Sequence, residues 1–256
     1  MITRIPSVAL VAASVLLTGC GGGALAATDH ASAPTSASSS ASSPSPSPSP
    51  SPSSEISAEA APRQLPGVGP KMLARIPAAT EQVVLVTGRG ANSPLSTLAL
   101  YERTDDGWEQ TVSWAAHNAL KGWSDHHMAG DLRSPVGVYS LTDAGGLLKD
   151  PGTKLSYDHG SGFVSPGTGF EGEPLAGSFD YVIAINYNRQ PGTSPLDWTR
   201  PLGSSRGGGI WIHVDHGGPT HGCVSIAEDH MKELLRTLDP ARHPVVVMGD
   251  AAALGH

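Results

Sequence analysis

Ile210-Trp211-Ile212-His213-Val214-Asp215-His216-Gly217-Gly218-Pro219-Thr220-His221-Gly222-Cys223-Val224-Ser225 is the stretch from which both the fold and the chemistry of this chain are read. Its first five residues alternate as a strand does, with Ile210, Ile212 and Val214 on one face and Trp211 and His213 on the other. His213 is therefore expected to look away from the face that its aliphatic neighbours bury. Gly217, Gly218 and Pro219 form a turn able to fold the chain back and bring Cys223 toward His213. The chain has two cysteines, and the other, Cys20, lies far away near the N-terminus. A lone thiol beside several imidazoles needs a chemical explanation.

Downstream, Ile226, Met231, Leu234, Leu235 and Leu238 recur at helical spacing, and Ser225-x-x-Glu228 reads as a capping box that starts the helix. Asp239-Pro240 ends it, and residues 244–249 read as a buried closing strand. Upstream, residues 82–87, 96–102 and 108–114 are β-branched or alternating runs separated by Gly88-Arg89-Gly90 and Asp105-Asp106-Gly107 turns, which predicts three antiparallel strands. Residues 130–141 are a turn leading into another strand, and 179–187 an apolar run suited to the interior of a sheet. Residues 145–177 are rich in Gly and Pro without periodicity, and predict long loops over one face; such loops in a compact domain are usually functional. Strands are many and helix is scarce, so the expected fold is mainly β, a sandwich with one or two covering helices and long loops.

The 256 residues carry a formal net charge of −7. Lys and Arg are scattered singly, leaving no basic stripe to neutralise a phosphate backbone, so nucleic acid is not an expected partner. Residues 1–20 read as an export signal, with Arg4 ahead of an apolar run at 8–17 that is too short to span a bilayer. The order Leu17-Thr18-Gly19-Cys20 resembles the lipobox of bacterial lipoproteins, which implies that Cys20 becomes a lipidated first residue. Ala24-Leu25-Ala26 offers ordinary cleavage that would discard Cys20 instead. Residues 21–64 are Ala, Ser and Pro almost throughout and predict a disordered tether, reaching at most on the order of 100 Å. Residues 65–256, about 190 in all, remain for one domain with a sizeable core. The expected location is the outer face of the cell membrane, with reach into the cell wall. An unpaired thiol in an exported protein points to reactivity.

Placed just before a helix start, Cys223 is expected to have its thiolate favoured by unpaired backbone N–H groups and the helix dipole. His213 would then take the thiol proton while Cys223 attacks a carbonyl, and Gly222 would let neighbouring N–H groups face the developing oxyanion. His213, His216, His221 and Cys223 also form a zinc-compatible ligand set, although the spacing matches no zinc pattern. His126-His127 after Asp125 is a further histidine pair, read as solvated on a polar loop.

Thr220-His221-Gly222-Cys223 with an upstream strand histidine resembles the [Ser/Thr]-His-Gly-Cys signature of the YkuD-type L,D-transpeptidases, bacterial cell-wall enzymes with a mostly β catalytic domain. Residues 133–139 (Arg-Ser-Pro-Val-Gly-Val-Tyr) resemble the family's Thr-Pro-x-Gly-x-Phe/Tyr segment, and the Gly-rich approach to residues 210–214 is similar to its penultimate strand. The resemblance covers about residues 80–250. It implies Cys223 as nucleophile, His213 as base, Gly222 and Cys223 as oxyanion donors and His221 as a site-shaping residue, with no cofactor and no metal. Thr220, His216 and Ser225 are implied as supporting residues. The implied partners are peptidoglycan stem peptides, both donor and acceptor, and the implied reaction is 3→3 cross-linking through a thioester.

Two departures stand out. The segment between His213 and Thr220 is shorter than in most members, as in a short-spaced branch, so an active-site flap is expected to be missing and His216 is a rival for the base. Ser225 stands where members usually carry Arg or Asn, so recognition of a substrate carboxylate is expected to differ. Hydrolysis would instead make the protein an L,D-carboxypeptidase. A catalytically silent or metal-binding wall-associated lipoprotein is the alternative from another class.

Overall fold

The computed structural model describes residues 64–256. The export signal, Cys20 and nearly all of the tether lie outside the described residues. The fold is mainly β, as the alternating runs predict. After a single helical turn, α1 (Pro70–Leu73), come β1 (Gln82–Gly88), β2 (Leu95–Thr104) and β3 (Gly107–His117). These three pair antiparallel in sequence order. The β2–β3 turn closes at Gly107, whose φ of 136° suits glycine.

Two short strands, β4 (Trp123–Ser124) and β5 (Ser134–Pro135), pair with each other, and the remaining strands complete one large sheet. These are β6 (Gly137–Gly146), β7 (Ser156–His159), β8 (Val182–Ile185), β9 (Trp211–Val214), β10 (Val224–Ile226) and β11 (Val245–Asp250). The order is β11-β1-β2-β3-β10-β9-β8-β6-β7, and β6 also pairs with β11. The two halves of the expected sandwich are therefore joined, and the sheet closes on itself.

Period-2 alternation sorts the side chains. Val84, Val86, Ile183, Ile185, Ile212, Val214, Val246 and Met248 fill one core inside the closed sheet. Val83, Leu85, Val245 and Val247 point the other way, onto Leu65, Val68, Met72 and Leu254. Leu254 belongs to α3 (Ala251–Leu254). The other helix, α2 (Glu228–Thr237), lays Met231, Leu234 and Leu235 into the inner core.

The predicted capping box does not form. The N-cap of α2 is Ala227, with no side-chain bond, and Ser225 lies in β10, opposite both His213 and His117. The pairing of β10 with β3 on one side and β9 on the other wins over local capping preference, because Val224 and Ile226 are wholly buried in the sheet. Ile226 is likewise a strand residue, so the helical pattern begins only at Met231. The apolar run at 179–187 supplies a shorter strand than predicted, β8, flanked by β6 and β9.

Candidate functional site

β9 and β10 are adjacent and parallel, with Val224 opposite Ile212 and Ser225 opposite His213. A parallel pair cannot be joined by a tight hairpin, so residues 215–223 must carry the chain back along the strand to its starting level. That return sets Cys223 beside Trp211, whose backbone N–H donates to Cys223 Sγ at 3.4 Å. Cys223 packs with Trp211 and Phe179 on the outer face of the sheet. His213 follows Trp211 by two residues and so shares that face. Phe179 confirms the placement, its ring lying 4.9 Å from Trp211 and 5.4 Å from His213. The expected alternation holds, but the second face is covered too, leaving His213 only 3% exposed.

His213 Nδ1 lies 2.8 Å from the backbone oxygen of Val214. A carbonyl can only accept, so Nδ1 carries the hydrogen and Nε2 is left as a lone-pair acceptor. Burial keeps the ring neutral, pulling its pKa down to about 4. Burial also pushes the Cys223 thiol up to about 11, against a small lowering by the Trp211 N–H. This corrects the expectation of a helix-activated thiolate: β10 intervenes between Cys223 and α2, so the helix N-terminus does not act on the sulfur. The resting pair is a neutral thiol and a neutral imidazole.

The backbone around the sulfur is fixed from behind. Thr220 Oγ1 and Ser134 Oγ donate to the carbonyl of Cys223 at 2.7 and 3.3 Å, while the N–H groups of Gly222 and Cys223 have no protein acceptor among the described residues. Gly222 is buried, and a Cβ there would stand 3.0 Å from Ile210 Cδ1. Ser225 has a structural task, its hydroxyl donating to Asp215 Oδ1 at 2.7 Å, which His117 Nδ1 also approaches at 2.9 Å. Burial raises the Asp215 carboxyl, but these bonds from Ser225 and His117 outweigh it and hold the group below its ordinary pKa.

The short 215–219 turn carries no flap, and a distant segment takes its place. Within residues 160–178, Phe170 packs at a tilt against the exposed His221 with ring centres 4.5 Å apart, and Glu173 Oε1 meets His216 Nδ1 at 3.1 Å. Gly169 and Gly218 enclose that carboxylate; a Cβ on either would overlap Glu173 Oε1. Backbone N–H groups of Glu173 and Glu171, with His216, hold its carboxyl below the usual range. His216 stacks nearly parallel to His213, ring centres 5.8 Å apart. The zinc-compatible set is thus dispersed: His213 bonds a carbonyl, His216 a carboxylate, and His221 lies against Phe170. Among the described residues, no group of three or more His, Cys, Asp or Glu side chains is arranged to hold a metal ion.

Cys223 and His221 stand between two cavities. One, about 450 Å³, is lined by His127, Trp198, Arg200, the Gly207–Gly209 backbone and Ile210. The other, about 230 Å³, holds His213, His216, Phe179, Ser165 and Leu175. His127 corrects the expectation of a solvated pair: His126 is exposed, whereas His127 is buried against Tyr187, 3.0 Å from Asp131 Oδ1 but out of hydrogen-bonding alignment. Burial lowers its pKa.

A family model described as the YkuD L,D-transpeptidase catalytic domain matches residues 95–247. The chain belongs to the YkuD family. This YkuD domain therefore falls in a family that acts on peptidoglycan stem peptides. A solved structure, that of Bdellovibrio bacteriovorus Bd1075, is similar over 67% of this chain and 48% of that chain, at 16% identity and a TM-score of 0.37. This YkuD chain thus spans about half of that protein's length. Among curated proteins none matches. Sequence reasoning missed Ser134, Glu173, Phe170 and Arg200 as parts of the site. Phe170, Glu173 and Arg200 lie where no local spacing marks them, and Ser134 lies in a segment noted only for its resemblance, with no role assigned to it.

Proposed function

We propose that this YkuD domain transfers an acyl group between peptidoglycan stem peptides through a thioester on Cys223. His213 Nε2 takes the thiol proton as sulfur attacks the carbonyl between a meso-diamino acid at position three and D-Ala at position four. The oxyanion faces the N–H groups of Gly222 and Cys223. Collapse breaks the peptide bond, His213 returns the proton to the departing D-Ala amine, and a thioester remains. A side-chain amine of a second stem attacks it, loses its proton to His213 and releases the thiol, giving a 3→3 cross-link. The observation that carries this reading is the Val214 carbonyl on His213 Nδ1, which leaves Nε2 free as a base on the face that bears the sulfur.

Two cavities meeting at Cys223 favour transfer over hydrolysis, since donor and acceptor each need a berth. Incubation of the purified protein with a disaccharide-tetrapeptide is expected to give cross-linked dimers and free D-Ala. Tripeptide alone would turn the reading to L,D-carboxypeptidase, and no product would sink it. A carbapenem is expected to leave an adduct on Cys223 by mass spectrometry, absent in Cys223→Ala. The proposed site of action is the outer face of the membrane, with lipidated Cys20 as anchor. Recovery of an acylated N-terminal peptide beginning at Cys20 tests this, and an unmodified N-terminus beyond Ala26 would overturn it.

A further inference from the structure

The larger cavity beside Cys223 has Arg200 as its one permanently cationic side chain among the described residues. Arg200 is held in place from three sides. Its Nη1 donates to the backbone oxygens of Asp197 and Thr199, both at 3.0 Å. The guanidinium lies over Trp198, 4.9 Å from the ring centre. Gly208 runs beneath it so closely that a Cβ would overlap Arg200 Nε, and its φ of 144° is a second reason for glycine there.

The bonds already made are all on Nη1. Nε and Nη2 have no partner among the described residues, and no carboxylate pairs with Arg200 there. The Nε–Nη2 edge is the side of a guanidinium fork that binds a carboxylate with two parallel hydrogen bonds. Ser225, at the position where the family resemblance leads one to expect a carboxylate-binding side chain, is fully buried and bonded to Asp215. It cannot supply this contact.

We propose that Arg200 is the residue that fixes a carboxylate of the donor stem peptide in the larger cavity, placing the scissile carbonyl over Cys223. This rests on the acyl-transfer reading of the site. The carboxylate is either the terminal one of D-Ala or that of the diamino-acid side chain, since both are the same chemistry at the end of the same ligand. Arg200 is a specificity residue, acting through binding and not through proton transfer.

The test separates binding from chemistry. In a Cys223→Ala background, calorimetry would measure binding of the free-acid tetrapeptide, its terminal carboxamide and its side-chain carboxamide. The free acid should bind more tightly than one of the two amides, which names the carboxylate. Adding Arg200→Gln should weaken the free acid by about 10- to 100-fold and leave that amide unchanged. Arg200→Lys, which keeps the charge and loses the fork, should fall between and serves as the deciding variant if Arg200→Gln lowers the melting temperature. Unchanged discrimination in both variants, no preference for the acid, or no binding of the tetrapeptide would overturn the assignment. Release of D-Ala by the Cys223-containing protein is read separately. Release without carboxylate preference sinks the Arg200 assignment alone, whereas acid-selective binding without release sinks the acyl-transfer reading and leaves Arg200 a carboxylate site.

Discussion

The reactivity of Cys223 is governed by its burial against Trp211, which disfavours the thiolate. A thiol at a helix start would be largely ionised near neutral pH, whereas a thiol packed against Trp211 and Phe179, raised to about 11, is not. Alkylation of Cys223 by iodoacetamide should therefore keep climbing from pH 7 toward pH 11, and a plateau near neutrality would contradict this. The proposed reaction avoids the difficulty, because the proton leaves during attack. His213→Ala should cut D-Ala release by about 10²- to 10⁴-fold while leaving alkylation at high pH nearly intact. His216→Gln should cost much less; an equal loss would move the role of base to His216. The pattern His213…Cys223 was legible in the sequence because the motif is local. The protonation states were not, because burial is set by Phe179 and other residues far along the chain.

Among the elements, the return segment between β9 and β10 does most to build the site. Thr220→Val removes the shorter of the two bonds to the Cys223 carbonyl and is expected to destabilise the protein by about 1 kcal/mol and slow turnover. Ser225→Ala removes the hydroxyl donor from the Asp215 carboxylate and should cost about 1–2 kcal/mol, measured by denaturant unfolding. Strands β1, β2, β3 and β11 were legible because their alternation or β-branched runs repeat over many residues. The start of α2 was misread because Ser225 satisfies a capping pattern locally while the sheet claims it. The covering segment at 160–178 has no periodicity, so its packing on His216 and His221 could not be seen from spacing.

For the molecule as a whole, acid should be the weak side. His213 titrates near 6.5 in an unfolded chain and at about 4 when folded. Between those values the unfolded chain binds a proton that the folded one refuses, so stability is full above about pH 6.5 and falls as the pH drops toward 4. The loss from this one group is about 3 kcal/mol, and the lowered His127 adds in the same direction. Melting temperatures between pH 7 and pH 4 check this, and His213→Gln should flatten the decline. The mainly β character was legible because strand alternation is a local property. Closure of the sheet was not, since it depends on β6 meeting β11 across a long stretch of sequence.

That closure has a consequence for biosynthesis. The last strand in sequence, β11, is seated between β1 and β6, and α3 behind it receives the Gly69 N–H at Leu254. Until β11 is delivered, β1 and β6 both wait with an unpaired edge. The sheet therefore stays open until residues 245–250 have been added, and the chain ahead of them stays slack up to that point.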